Sequence, residues 1–252
     1  MVRNNMSRPS FSDSFGGTYI LIEPDNYLMG DIVGDGLDRE KPIHNVDISR
    51  PFFIGERPVT QAHWSSVMGS NPSKFTDGWS AGLQPVERIS WLDANEFIGM
   101  LNEEFGHEVH LGLSGRWRLP TEAEWEFVAK SGTESKWFFG NLDSELDDYG
   151  WHAGNSGAST KVVGQKKPTP WGIMDLYGNV SEWCQDNFTP NYSKHSGSQN
   201  AYVVKSEKQY VHRGGSWFTE SDSTRSSARN KSDSSRKSDG IGMRLVWEPD
   251  DE

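Results

Sequence analysis

The sequence predicts a loop-rich α+β domain with two main helices and short antiparallel strands, and three observations carry that expectation. In the first half, apolar residues recur at helical spacing behind capping residues. From Gly132 onward, short apolar or aromatic pieces alternate with Gly, Asn, Asp and Ser, the pattern of turns and short strands. Eleven tryptophans are scattered from Trp64 to Trp247 with no internal repeat, which suits one core with many turns. At 252 residues the chain can bury a sizeable core, and no linker divides it. The expected organisation is a flexible polar segment over 1–15 followed by a single domain over 16–252.

The elements follow in order. Thr18-Tyr19-Ile20-Leu21-Ile22 reads as a strand, Gly30 to Asp38 as a Gly- and Asp-rich loop, and His44 to Ile48 as a half-buried strand followed by Phe52-Phe53-Ile54. Val59 to Met68 reads as a short helix with Thr60 as N-cap and Gly69 beyond its end. A longer helix follows Ser90, with Trp91, Ala94, Phe97, Ile98, Leu101 and Phe105 on one face. Thr121 and Glu124 form a capping box for a helix that Gly132 ends. Strands are expected at Tyr210-Val211-His212 and at Met243 to Val246, and between them the chain is almost wholly Ser, Asp, Thr, Lys and Arg. Such a stretch cannot fold on its own, and a long loop pinned between strands is usually functional.

Charge and composition remove several function classes. A formal net charge of −11 lacks the basic footprint of nucleic-acid binding. The single cysteine, Cys184, excludes an intrachain disulfide and a cysteine-based zinc site, and reads as a small buried apolar side chain. No apolar run reaches 18 residues and no signal-peptide pattern opens the sequence. His107-Glu108-Val109-His110 is the nearest approach to a ligand pair, but its place at a helix end reads as a turn.

Four strings occur in fixed order: Trp117 to Glu126 (WRLPTEAEWE), Gly172 to Trp183 (GIMDLYGNVSEW), Arg213 to Trp217 (RGGSW) and Gly242 to Leu245 (GMRL). Together they closely resemble the formylglycine-generating, or sulfatase-modifying factor, family over roughly residues 16–248. The resemblance implies a C-type-lectin-like core. It also implies a chemistry to test, because the family's oxidases bind copper(I) through two cysteines in the segment equivalent to 218–235. Here that segment offers Thr219, Ser221, Ser223 and Thr224, and hydroxyls do not replace thiolates for that ion. A related branch of iron-dependent sulfoxide synthases needs a facial triad, for which the seven histidines show no spacing. The resemblance further suggests calcium at Asn179, the Val180 carbonyl and Glu182, against a plain tight turn as the other reading; no cofactor is required.

The last forty residues resemble more closely the variable proteins of diversity-generating retroelements, in which a variable segment begins after Gly-Gly-Ser-Trp and ends near Gly-Phe-Arg. Here that segment is about 218–240, with Gly242-Met243-Arg244 at its end. In that group, mutation of the first two bases of Asn codons (AAC or AAT) yields Ser, Thr, Asp, Asn, Ala, Gly, Phe, Tyr and others, but never Glu, Lys, Gln, Met or Trp. The resemblance therefore selects Phe218, Thr219, Ser221, Asp222, Ser223, Ala228, Asn230, Ser232, Asp233, Ser238 and Asp239 as variable ligand-contacting positions. Trp217, Arg225, Arg229, Arg236 and Arg244 are expected to be scaffold, since a guanidinium can tie carbonyls and carboxylates together.

Three functions stay open on the sequence. The first is a non-enzymatic protein displayed at a cell surface or virion tip, binding a protein or other macromolecule on a target cell; a cytoplasmic location is the alternative. The second is a catalytically inactive structural or regulatory partner of another enzyme. The third is an enzyme with an unfamiliar site, for which Asp175, Glu182 and His212 are the first residues to test.

Overall fold

The computed structural model describes residues 8–195 and 197–250. All three expected helices form where their caps stand. Helix α1 (Gln61–Met68) starts at Thr60, whose hydroxyl accepts the His63 N–H at 3.2 Å, and stops at left-handed Gly69. Helix α2 (Trp91–Phe105) starts at a box closed by Ser90 and Asp93 and buries Ala94, Phe97, Ile98 and Leu101. Helix α3 (Glu122–Lys130) carries the Thr121–Glu124 box, and every one of its residues is buried, including Glu122, Glu124, Glu126 and Lys130. A helix buried all round cannot leave three carboxylates unpaired: Glu124 takes nearby Arg118, while Glu122 takes Arg229 and Glu126 takes both Lys130 and distant Arg213.

The strands are β1 (Ser10–Ser12), β2 (Thr18–Ile22), β3 (Asp25–Met29), β4 (His44–Ile48), β5 (Phe52–Gly55), β6 (Gly115–Arg118), β7 (Gly150–Trp151), β8 (Tyr177–Gly178), β9 (Ser181–Asn187), β10 (Gln209–Arg213), β11 (Arg229–Asp233), β12 (Ile241–Gly242) and β13 (Val246–Pro249). One five-stranded sheet runs β1-β2-β5-β13-β6 and a four-stranded sheet runs β11-β10-β9-β12, with small pairs β3-β4 and β7-β8. Not all pairings are antiparallel, since β12 runs parallel to β9 and β7 parallel to β8. One apolar cluster surrounds α3, with Trp125, Trp137 and Tyr177; another joins α1 and α2 to Trp117, Trp183 and Trp247. Cys184 is fully buried and its thiol is pushed well up by that burial.

Three expectations change. The polar segment 1–15 is not wholly flexible: β1 pairs with β2, and Phe11 stacks on His110 at 4.0 Å between ring centres. Half-buried Phe11 packs against Tyr19, Phe53, His110 and Trp247, and these aromatic contacts tie the stretch to the core. The strand expected at Met243–Val246 is instead two, because the chain leaves the four-stranded sheet after Gly242 and joins the five-stranded one at Val246. The stretch between β10 and β12 is also not a structureless loop, since a 3-10 turn forms at Ser221–Thr224 and Arg229–Asp233 pairs along β10 as an edge strand.

Candidate ligand-binding site

The segment 218–240 has no apolar interior of its own, and buried arginines hold it. After β10 the chain turns at Gly214 and Gly215, with φ of 89° and 69°. A Cβ on Gly215 would stand 2.7 Å from the Thr219 hydroxyl and 3.0 Å from the Ser223 carbonyl, so the turn takes only glycine there. Trp217 then donates its indole N–H to the Asp239 carbonyl at 2.7 Å, which brings the two ends of the segment together.

Four guanidiniums fix what lies between and just beyond. Arg213 donates to the carbonyls of Ser226, Ser227 and Ala228 and to the Glu126 carboxylate. Arg225 grips Glu40 through two bonds of 2.7 and 3.0 Å, with the Ser227 hydroxyl as a third partner for that carboxylate. Arg229 grips Glu122 at 2.6 and 2.7 Å and also donates to the carbonyls of Arg39 and Thr189. Arg244, at the crossing between the sheets, pairs with Glu182 at 2.7 and 2.9 Å and bonds the carbonyls of Gly55 and Met174. Burial alone would pull the Arg213 guanidinium down, but Tyr192 and the Glu126 and Glu122 carboxylates outweigh it and hold it above its ordinary value. Burial likewise pushes Glu126 upward, yet Lys130 and Arg213 bring it down to about 2. Fork-shaped, doubly bonded pairs of this kind fix geometry as well as charge.

The expected contact residues divide into groups. Phe218 is 48% exposed and packs edge-on against Trp217. It lies over Gly240, beside Ser238 and Asp239 in sequence and in space. Asp222, Ser223 and Asn230 line a groove of about 170 Å3 together with Asp35, Leu37 and Arg39. Ser232 and Asp233 lie farther along the edge strand β11. Thr219 bonds back to Ser216, and Ser221 donates to Asp143. Ten of the eleven positions are half-buried or exposed. Ala228 is the exception at 5% exposure: its methyl sits in the groove floor and Arg213 holds its carbonyl, so it belongs to the frame. Arg236 departs in the other direction. It is exposed, and among the described residues its guanidinium has no hydrogen bond or ion pair, because the turn after β11 points it to solvent.

Residues 10–249 match the sulfatase-modifying factor enzyme 1-like domain. The chain belongs to that family. It is similar to the solved structure of Treponema denticola variable protein 1, with a TM-score of 0.85 and 32% identity over 96% of this chain and 99% of the other. The chaperone protein LppX of Paenibacillus barcinonensis is 29% identical over 80% of this chain and 81% of its own length. The formylglycine-generating enzyme of Streptomyces coelicolor is 26% identical over 89% and 87%.

Against this sulfatase-modifying factor background, the residues expected at calcium can be tested for fit. The Asn179 side chain, on a left-handed backbone, is spent on Lys161, accepting its N–H at 3.0 Å and donating to its carbonyl at 3.1 Å. Both Glu182 oxygens are taken by Arg244, and one also accepts the Trp125 indole N–H at 2.7 Å. A carboxylate neutralised by a bidentate arginine does not fit calcium, so Glu182 is not available as a ligand. The residues fit a tight turn instead.

The three residues of the enzymatic reading are not assembled into a site. Glu182 serves Arg244, and His212 is buried with Nε2 3.3 Å from the Ser232 hydroxyl and its pKa lowered by burial to about 4. Asp175 accepts the Gly164 N–H at 2.6 Å, and burial raises its carboxyl to about 6. Among the described residues no hydrogen bond links the three. Sequence reasoning missed Arg213 as a clamp, and with it the buried acceptors Glu40, Glu122 and Glu126. The signal lay in α3, where carboxylates alternate with Ala123, Trp125 and Phe127 and leave no solvent face.

Proposed function

We propose that this chain is a non-enzymatic ligand-binding protein whose contact face is made of Phe218, Thr219, Ser221, Asp222, Ser223, Asn230, Ser232, Asp233, Ser238 and Asp239, diversified by a retroelement. The observation that carries the reading is the division of labour in one segment. Buried Arg213, Arg225 and Arg229 bind main-chain carbonyls and distant carboxylates and keep 224–229 inside, while 217–223 before that stretch and 230–239 after it are half-buried or exposed. Short Ser, Asp and Asn side chains give adaptable hydrogen bonds around an aromatic anchor, as antibody loops do. The 32% identity to a variable protein over almost the whole chain supports the same reading.

The ligand on this reading is a protein or other macromolecule on a target cell, and the place of action is a cell surface or a virion tip. The segment without cysteine supports the loss of the oxidase chemistry, since copper(I) has no thiolate there. The test is the nucleotide sequence of independent isolates. Substitutions should concentrate at the ten codons above and match adenines of a near-identical template repeat beside a reverse transcriptase gene. An even spread of substitutions along the chain refutes the proposal.

A further inference from the structure

The groove of about 170 Å3 that Asp222, Ser223 and Asn230 line also holds a cation without a partner. Arg39 lines it and is half-buried. Its Nε is shut off from solvent with no acceptor, and among the described residues its guanidinium forms no hydrogen bond or ion pair. A desolvated donor left unsatisfied costs free energy, so a cation in that state marks a place where a ligand can supply the acceptor.

The clamps that hold the segment also fix the main chain around Arg39. Its carbonyl accepts from Arg229 Nη1 at 2.6 Å. The next residue, Glu40, is gripped by Arg225, and its carbonyl accepts the Asp31 N–H at 3.0 Å. The backbone is therefore tied down on both sides of a side chain that has no structural duty.

Charge decides what the groove can take. Glu40 is neutralised by Arg225, Arg229 by Glu122, and Asp35 by Lys136 at 2.7 Å. That leaves Arg39 and Asp222, whose side chain is 75% exposed and stands 3.9 Å from Lys136. A guanidinium forks onto the two oxygens of one carboxylate, whereas the carboxylates of Asp35 and Asp222 at the rim oppose a phosphate dianion. Ser223 and Asn230 add a hydroxyl and an amide to the lining, and half-exposed Leu37 offers an apolar wall for the methylenes that carry an acid.

Resting on the reading of that face as the ligand site, we infer that Arg39 is its constant recognition group, binding a carboxylate of the ligand while Asp222, Ser223 and Asn230 around it change. Arg39 lies outside the segment 218–240, so the proposed diversification does not reach it. Asp222 weakens the site in this copy, and replacing it with a neutral residue strengthens the grip on an acid.

The experiment follows amide shifts of Ser223 and Asn230 by NMR in the full isotope-labelled chain. The probes are an acetylated Gly-Glu-Gly amide and methyl glucuronide, a peptide and a sugar source of the same group, beside their neutral glutamine and glucoside counterparts. At least one carboxylate probe should bind saturably, with a Kd on the order of 1–10 mM, and the neutral counterparts should not; the probe that binds tells acidic protein from acidic sugar. Arg39→Gln should weaken binding at least about tenfold with the melting temperature unchanged, and Asp222→Asn should strengthen it about twofold. No saturable shift with either carboxylate, equal shifts with the neutral probes, or binding that survives Arg39→Gln overturns the inference and leaves the variable face to the test on isolates. Saturable binding together with an even spread of substitutions among isolates refutes the diversification alone.

Discussion

Replacing Arg225 with methionine should separate frame from face. The Glu40 carboxylate is 1% exposed and its cation is Arg225, which grips both oxygens. Arg225→Met keeps most of the volume but strands a buried carboxylate, a change that costs about 3–5 kcal/mol. For a domain of this size each kcal/mol lowers the melting temperature by about 2–4 °C, so the expected fall is about 6–20 °C. The assay is thermal unfolding followed by tryptophan fluorescence, with Arg225→Met/Glu40→Leu beside the single variant. An apolar replacement of both partners is expected to recover most of the loss, because the penalty comes from the unpaired charge. A melting temperature within about 2 °C of the parent would refute the claim that this pair holds the segment.

Three further outcomes follow from the same geometry. Joint replacement of the exposed or half-buried Phe218, Asp222, Asn230 and Asp233 by Ser or Tyr should move the melting temperature by no more than about 2 °C, as surface changes generally do; a drop matching that of Arg225→Met would place these side chains in the frame. A Cβ on Gly240 would stand 2.3 Å from the Phe218 ring and 3.1 Å from the Ser216 Cβ, so Gly240→Ala should destabilise the parent more than a Phe218→Ser background; additivity in that double-mutant cycle would contradict the contact. Asp186, buried beside Glu122, has its carboxyl raised to about 7 by burial first and that neighbour second. The folded state therefore holds more protons than the unfolded one between about pH 4 and 7, and Asp186 makes stability fall as pH rises through that window. Carboxyl NMR should find Asp186 half-protonated near pH 7, and an ordinary acidic value would discount the effect.

Local features were legible in the sequence, and long-range pairings were not. Thr60, Ser90 and Thr121 mark the three helix starts because a cap is satisfied within three residues. Arg225, Arg229 and Arg244 were identifiable as scaffold through resemblance, but their carboxylates stand 185, 107 and 62 residues away, a separation that no periodicity encodes. Arg236 shows the limit of spacing, which counts residues along the chain but does not say which way a turn aims them. The strand at Arg229–Asp233 was hidden because Arg-Asn-Lys-Ser-Asp has the composition of a loop. Its pairing with β10 depends on Arg229 being drawn into the interior by Glu122.

The clamp formed by Arg213 meets the peptide carbonyls of positions 226, 227 and 228, and no side chain of those residues. Carbonyls are common to all twenty amino acids, so this grip is blind to the spelling of what it holds. A mutational process working on neighbouring codons can rewrite the text without loosening the binding, provided that it spares the arginine codons themselves. In such a gene, those few triplets should be the ones that lack a mutable adenine.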